Sequence, residues 1–373
     1  MKDLETCRKE IDEIDAQLID LFEKRMGVAR DVVKYKAAHG MKIFQREREI
    51  QVVNKNLARV KNKVLINYVR NFILNNMNLS RAYQASLMPN SPLKIEQPKR
   101  ENIKVGYQGV PGSFSSQAMK SYFGKDVAST NYERFEDVFI ALKNKEIDYG
   151  VVPLENSSTG AINDNYDLIN KYGFYIVGEQ SISIAQNLLG IKGAKVEDIK
   201  EVYSHPQGLL QTSQFLDAHH IRKHRYLNTA AAAKLVAENG DKAIGAIAST
   251  EAAELYDLDV LAPSIENDKS NHTRFIVFAR HLEAPIDATR ISMVFTLRHE
   301  VGSLYEVMRI IKDHFINMAR VESRPLPGNP WEYYFYVDID GNLGDYNVLA
   351  ALQELKATTD SFRLLGNYER KEA

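Results

Sequence analysis

Cys7 is the only cysteine in 373 residues. A disulfide framework is therefore excluded, a thiolate metal site has too few ligands, and a reducing, cytoplasmic setting is the expectation. No apolar run reaches the roughly 18–20 residues of a membrane span, and the charged opening MKDLETCRKE lacks the pattern of a signal peptide. No membrane partner is expected. Internal repeats and low-complexity tracts are missing too, which excludes solenoids and disordered arrays. Proline does not occur before Pro89, and Gly27 and Gly40 are the only glycines in that stretch. Net charge is only −1, yet residues 1–90 hold 17 Lys/Arg against 11 Asp/Glu, or +6, leaving −7 elsewhere. A basic stripe can serve nucleic acid or small anions, and the placement of its charges decides which.

At 44% hydrophobic and 26% charged, the composition is that of a globular protein, long enough for two or three domains. Residues 1–88 read as helix throughout. Ile11, Ile14, Leu18 and Leu21 recur at three- and four-residue spacing, and His39-Gly40 ends the first helix. A second helix runs from about Gln45, and a third covers Val64 to Ala85. MPNSPLKIEQPKREN, with three prolines, marks a linker over 89–102. From 103 to 281 short apolar runs (IKVGY, DYGVVPL, FYIVGEQ, EVYSH, AIGAIA, LDVLA, RFIVFAR) alternate with helical stretches, which predicts a two-lobed α/β domain. Residues 288–373 follow the order βαββαβ, a ferredoxin-like α+β arrangement.

On an ideal helix Arg25 and Lys36 lie only about 20° apart, and both fall on the apolar stripe. Cations facing a core are costly unless anions meet them there. Pairing with acidic residues of a neighbouring helix is the plain alternative. Nucleic-acid binding is not expected, because these charges do not form an open face. Arg8 lies about 100° around the helix from Arg25, so it serves a different pocket. A rod-like helix that cannot close its own core also invites dimerisation. With Arg8, Arg25, Lys36, IFQRERE and SRAYQ in view, the segment resembles the all-helical chorismate mutase family over nearly its whole length. The resemblance implies that Arg25, Lys36, Arg48 and the other protomer's Arg8 bind the carboxylates and ether oxygen of chorismate. It also implies that Glu49 holds the ring hydroxyl and that Gln84, with Ser80, completes the contacts. Gln45 stands where the family often has Asp, and a modest effect on hydroxyl contacts is expected. A Claisen rearrangement needs no nucleophile, only a compactly held dianion and donors aimed at the breaking bond.

In the middle segment, strand ends run into loops rich in hydroxyls and amides: YQGVPGSFSSQ, VPLENSSTG, YSHPQGLLQ and NHTRF. Ligands of open α/β sheets collect beyond such ends, and helix N-termini there offer N–H groups to anions. Any single loop reads equally well as a helix cap. GVPGS lacks the lysine of a phosphate loop and matches no dinucleotide fingerprint, so no cofactor or metal is expected. PLENSSTG, SHPQ and TRF together resemble the prephenate dehydratase family across 103–281. The resemblance places the catalytic threonine at Thr273 and supporting roles at Asn156, Ser204, Gln211, Arg274 and Phe275. Glu155, Ser157, His205 and Gln207 would contact the substrate. Thr273 is too weak an acid to act unaided, so it is expected as a positioned donor or relay, fed by His205 or His272. Arg274 is expected either to grip the carboxylate that survives decarboxylation or to brace the loop.

GSLYEVM and VESRP resemble the ACT regulatory domain attached to many dehydratases. By that resemblance Gly302, Ser303, Leu304 and Asn317 of one protomer, with Glu322, Ser323, Arg324 and Pro325 across a dimer interface, would enclose L-phenylalanine. Phe315 stands where the family commonly has glycine. The expectation is an enzyme with chorismate mutase and prephenate dehydratase activities, a homodimer or homotetramer under phenylalanine feedback. Its rivals are an arogenate-preferring dehydratase with a weak or degenerate mutase domain, and a non-catalytic amino-acid sensor.

Overall fold

A computed structural model describes residues 2–41, 43–87, 93–96, 98, 101–326, 328–329 and 331–370. Much of the expected 89–102 linker therefore lies outside the described residues. The N-terminal part is three helices, α1 (Leu4–Ala38), α2 (Arg46–Leu57) and α3 (Ile66–Leu87). Asp3 opens α1 by accepting from the Thr6 backbone N–H and hydroxyl, both at 2.8 Å. Gly40, at φ +62°, turns the chain out of it. At 35 residues α1 is about 52 Å long, yet Ala29 and Val33 are its only described buried side chains. Its stripe stays uncovered within the chain: Ile11, Ile14, Leu18 and Leu21 are 45–61% exposed. The helix α3 packs against α1, α2 and a helix of the C-terminal domain.

The middle domain has two lobes. The first contains β1 (Lys104–Gln108), α4 (Phe114–Phe123), β2 (Ala128–Tyr132), α5 (Phe135–Lys143), β3 (Tyr149–Asn156), β4 (Gly160–Ala161), α6 (Asn163–Tyr172) and β5 (Tyr175–Ser183). The second contains β6 (Asn187–Gly190), β7 (Glu201–Ser204), α7 (Pro206–Gln211), α8 (Ser213–Ala218), β8 (Arg222–Arg225), α9 (Thr229–Asn239), β9 (Ile244–Ala248), α10 (Thr250–Leu255) and β10 (Asp259–Ala262). The chain then returns to the first lobe as β11 (His272–Ala279), antiparallel between β3 and β5. The second sheet runs β10-β6-β9-β7-β8. Two crossing segments join the lobes and bond at each end, Ile184 N to Asn271 O and Ile265 N to Gln186 O, both at 2.8 Å. The sequence reading left out the short strands β4 and β6, and it did not predict β2 (ASTNY) or β8 (RKHR). β2 and β8 are outer strands facing solvent, so neither carries the apolar residues that mark a strand.

The C-terminal domain comprises β12 (Arg290–Thr296), α11 (Ser303–Asp313), β13 (Met318–Pro325), β14 (Tyr333–Asp340), α12 (Tyr346–Thr358) and β15 (Ser361–Tyr368). Its sheet runs β13-β14-β12-β15 and continues into the first lobe, because β15 meets β5 at Gly366 opposite Ile176. A Cβ on Gly366 would stand 2.0 Å from the Ile176 carbonyl oxygen, so only glycine allows this approach. Buried charges reinforce the joint. Arg274 donates to Asp338 on β14 (2.8 Å), and its Nε lies 3.2 Å from Glu179 on β5. Ser292 donates to Asp338 and also bonds the Tyr368 hydroxyl (2.7 Å). Burial alone would raise the Asp338 pKa, but the Arg274 charge and the Ser292 hydrogen bond outweigh it and hold the carboxyl below its usual value. Among the described residues, no helix is long and apolar enough to cross a membrane.

Two stability outcomes follow. Asp338→Ala leaves the Arg274 guanidinium buried without its closest anion and should cost about 3–5 kcal/mol, read by urea unfolding. Glu283, near the end of the middle domain, is pushed by burial from 4.5 up to about 7, with Glu96 adding to the rise and Tyr149, which donates to it, opposing. The folded state then holds a proton that the unfolded state has lost between pH 4.5 and 7, so this group's contribution to stability falls as pH rises through that window. Glu283→Gln should therefore stabilise the protein at pH 8, on the order of 1 kcal/mol or more, and give no gain at pH 4. Melting curves at the two pH values check this.

Candidate active sites

The mouth of β11 lies where the lobes meet, and Thr273 sits there, mostly buried. The Asn156 side-chain amide donates to Thr273 Oγ1 (2.8 Å) and to Asn271 Oδ1 (2.8 Å). Its Oδ1 accepts from the Ser158 and Thr159 backbone N–H groups (3.0 and 3.2 Å) and from the Thr159 hydroxyl (3.2 Å). The amide is thus fixed in orientation, and Thr273 receives a hydrogen bond there without spending its own hydroxyl hydrogen. From the second lobe Gln207 donates to Thr159 Oγ1 (2.9 Å), so a hydrogen-bonded chain crosses the cleft from α7 through Thr159 and Asn156 to Thr273. His205 caps α7 with its Nδ1 accepting from the Gln207 N–H (3.2 Å), and burial of the ring lowers its pKa. His272 spends Nδ1 on the Ser270 carbonyl (2.8 Å), and its backbone N–H donates to the Ser157 hydroxyl (2.9 Å). Gln211 accepts from Gln186 (3.3 Å) on a crossing segment.

Several expected site residues face elsewhere. Successive strand residues point to opposite faces, and Arg274, next to Thr273, points away from the Thr273–Asn156 cluster onto Asp338 and Glu179. It braces β11, which fits the second of the two roles expected for it and not the first, the grip on a substrate carboxylate. Phe275 is 2% exposed and packs with Val105, Tyr107 and Val277, so it is core. Ser204 is fully buried and donates its hydroxyl to the Ile247 carbonyl (2.7 Å), holding β7 to β9. Glu155 faces the C-terminal domain, 3.3 Å from Arg320 and 3.9 Å from Arg274. The sequence reading did not single out Thr159, Asn271 or Gln186. Their signal was the density of amides and hydroxyls beside residues that it did name.

In the helical domain the structure brings Lys36 near Glu49, and Ser80 and Gln84 pair with each other on α3. Burial lowers the Lys36 pKa, the Glu49 charge opposes that, and Lys36 donates to the Ile43 carbonyl (2.5 Å). Arg25 donates to the Asn76 carbonyl on α3 (3.1 Å), and burial lowers its pKa. Ser80 and Gln84 are buried on α3, with Gln84 Nε2 3.2 Å from the Ser80 hydroxyl. Arg48 is exposed, and Gln45 precedes α2 without a side-chain cap bond. Arg8 is exposed and about 25 Å along the axis from Arg25, so it is far from this pocket in its own chain. Arg81, not expected from sequence, donates to both Glu49 carboxylate oxygens at 2.7 and 2.6 Å.

In the C-terminal domain Gly302, at φ +86°, opens α11. Ser303 and Leu304 line a cavity of about 520 Å³ with Trp331, Tyr333 and Phe335. None of Asn317, Glu322, Ser323, Arg324 or Pro325 lines it. Asn317 donates to Asp340 (2.6 Å), Glu322 lies 3.6 Å from Arg320, and Arg324 donates to Asp167 of the middle domain (2.9 Å). The strand carrying the last four, β13, is the outer one of its sheet. Phe315 is 95% exposed at φ +56°, a left-handed backbone that glycine adopts without strain. Among the described residues, no group of three or more His, Cys, Asp or Glu is placed to hold a metal ion.

Known proteins fit this layout. The family description Prephenate dehydratase matches residues 105–283, and Chorismate mutase type II matches residues 7–85. A bifunctional chorismate mutase/prephenate dehydratase of Aquifex aeolicus is 32% identical over 99% of each chain. An arogenate dehydratase/prephenate dehydratase of Arabidopsis thaliana is 34% identical over 71% of this chain and 72% of its own. Among solved structures, the prephenate dehydratase of Arthrobacter aurescens in complex with L-Phe superposes with a TM-score of 0.66 at 27% identity, covering 72% of this chain and 90% of that one. With both catalytic regions matched in order and identity sustained from end to end, the chain belongs to the bifunctional chorismate mutase/prephenate dehydratase family.

Proposed function

We propose that the Thr273–Asn156 pair is the dehydration centre, that the helical pocket carries out the rearrangement, and that the C-terminal domain is an ACT domain sensing phenylalanine. The two chemical steps are those of the family. Chorismate rearranges to prephenate, which loses carbon dioxide and its ring hydroxyl to give phenylpyruvate. The hydrogen bond from Asn156 to Thr273 Oγ1 carries the first assignment. An amide that donates to the threonine oxygen leaves the threonine O–H free to hydrogen-bond to the departing hydroxyl. As the ring becomes aromatic, the C–OH electron pair leaves with oxygen and the C–C pair of the lost carboxylate enters the ring. A hydrogen bond aimed at that oxygen stabilises the transition state more than the substrate. The link from Gln207 to Thr159 lets the second lobe hold this arrangement while the cleft is closed.

In the helical pocket, Lys36, Arg25 and Arg48 supply positive charge for the dianion. Ser80 and Gln84 supply neutral polar contacts, and Glu49 accepts from the ring hydroxyl. The uncovered α1 stripe supports a homodimer in which the partner's copy of the helix buries the apolar face and brings its own Arg8 to this pocket. Sedimentation of the full chain over a dilution series reads that association. Support for phenylalanine sensing comes from the L-Phe bound to the Arthrobacter enzyme and from the apolar cavity beside Ser303 and Leu304. The Arabidopsis relative motivates a second reading, in which arogenate is the preferred substrate of the same cleft.

Purified protein given chorismate, prephenate and arogenate in separate reactions, with and without phenylalanine, distinguishes these readings. Phenylpyruvate from the first two, suppressed by phenylalanine, is the expected result. Phenylalanine formed from arogenate at a higher kcat/KM would favour the second reading. Thr273→Ala should lower dehydratase kcat by about 100-fold or more with KM little changed, the size expected for a positioned proton donor. A rise in KM with kcat intact would contradict the donor role.

A further inference from the structure

We propose that Arg81 is a positioning residue for the rearrangement: it aims the Glu49 carboxylate and is itself held from the C-terminal domain. This rests on the reading of Glu49 as the acceptor for the ring hydroxyl. On α3, Arg81 lies about 100° from Ser80 and about 60° from Gln84, so it reaches Glu49 from a different face of the helix than theirs. Arg81 Nη1 donates to Glu49 Oε1 and Oε2 at 2.7 and 2.6 Å. A carboxylate has about four lone-pair directions. Arg81 occupies one on each oxygen and leaves the others free. Lys36, whose pKa registers the Glu49 charge, stands near the same carboxylate. Without Arg81 the carboxylate has one cation in place of two and turns toward Lys36, and the acceptor for the ring hydroxyl loses its direction.

The far side of Arg81 is fixed across the domain boundary. Nη2 donates to Asn78 Oδ1 (2.5 Å), and Asn78 Nδ2 donates to Glu306 Oε2 (3.0 Å) in the first turn of α11. Glu306 is steadied by Arg309 Nε (3.0 Å). The Phe44 ring offers an independent link, with the Arg81 guanidinium 5.3 Å and the Arg298 guanidinium of the C-terminal domain 4.0 Å from its centroid. Arg81, Asn78, Glu306, Phe44 and Arg298 line a cavity of about 420 Å³ together with Glu49, Gly302 and Ser303. The mutase carboxylate is therefore two side chains away from the turn that opens the regulatory helix. An ordinary docking ion pair at this seam would stabilise the fold with no effect expressed through Glu49.

The test is a double-mutant cycle in the full-length chain, reading chorismate turnover in the parent, Glu49→Gln, Arg81→Met and the double variant, with Arg81→Lys alongside. Dehydratase turnover of added prephenate reports folding in each preparation. Arg81→Met should lose about 10- to 100-fold in mutase kcat/KM, mainly through KM, as fits a lost charge-assisted hydrogen bond. Arg81→Lys should recover part of it. The double variant should be no worse than the poorer single one, because both act through one carboxylate. Additive losses, or an Arg81→Met mutase that matches the parent while Glu49→Gln is impaired, would overturn the proposal alone. A Glu49→Gln enzyme as active as the parent would overturn the underlying reading of the pocket and the proposal with it. If Arg81→Met loses dehydratase turnover as well, Asn78→Ala decides: it keeps both charges and cuts the tether. A several-fold mutase loss then supports the proposal, and no change overturns it.

Discussion

The buried pairing of Arg274 with Asp338 is the constraint on which the arrangement of β11, the strand of the proposed donor Thr273, depends. One guanidinium, on the residue after the proposed proton donor, is shared by a carboxylate from the C-terminal sheet and another from β5. An arginine this deep is tolerated only with anions around it, and the anions only with the arginine. Strand, neighbour and C-terminal sheet must therefore assemble together. The position of Thr273 follows from the same contacts, since a strand fixed on one face presents the other face without freedom to slip.

The candidate cleft was partly legible in the sequence because some of its residues violate local expectation. PLENSSTG and NHTRF place amides and hydroxyls at the mouths of apolar strands, where a buried backbone has no need of them. Arg274 was harder to read. Alternation says that it faces away from Thr273, but its partner lies 64 residues further on, in another domain. Ser204 and Phe275 sit inside recognisable motifs and yet serve packing. A motif preserves whatever its fold needs, and that includes a hydroxyl that only ties one strand to the next. The outer strands β2 and β8 escaped notice because solvent-facing edges carry polar residues, for which a period-two pattern has nothing to record.

The helical domain shows a different limit. Periodicity located α1 and its stripe correctly, and within the chain nothing covers that stripe. Arg81 was passed over within SRAYQ because its partners lie on α2 and, through Asn78, on α11, which a helical wheel of α3 cannot show. On α3, one face carries Ser80 and Gln84, the residues proposed for the rearrangement, and an adjoining face carries Arg81 and Asn78 at the domain boundary. Any rotation of this helix changes both at once.

The meeting of β15 with β5 at Gly366 has a mechanical consequence. A broad ladder would make the two sheets one stiff plate, in which small displacements are opposed by many parallel bonds. Here the ladder is a single residue pair, and the resistance lies in a few buried charges and in an apolar core shared by Ile176, Phe278, Val294, Leu365 and Tyr368. If one anion is drawn away, the shared apolar packing and the remaining pairs, Arg324 with Asp167 among them, still keep the plates aligned. A displacement of the C-terminal sheet therefore reaches the strand of Thr273 through side chains, Arg274 among them, more than through backbone bonds.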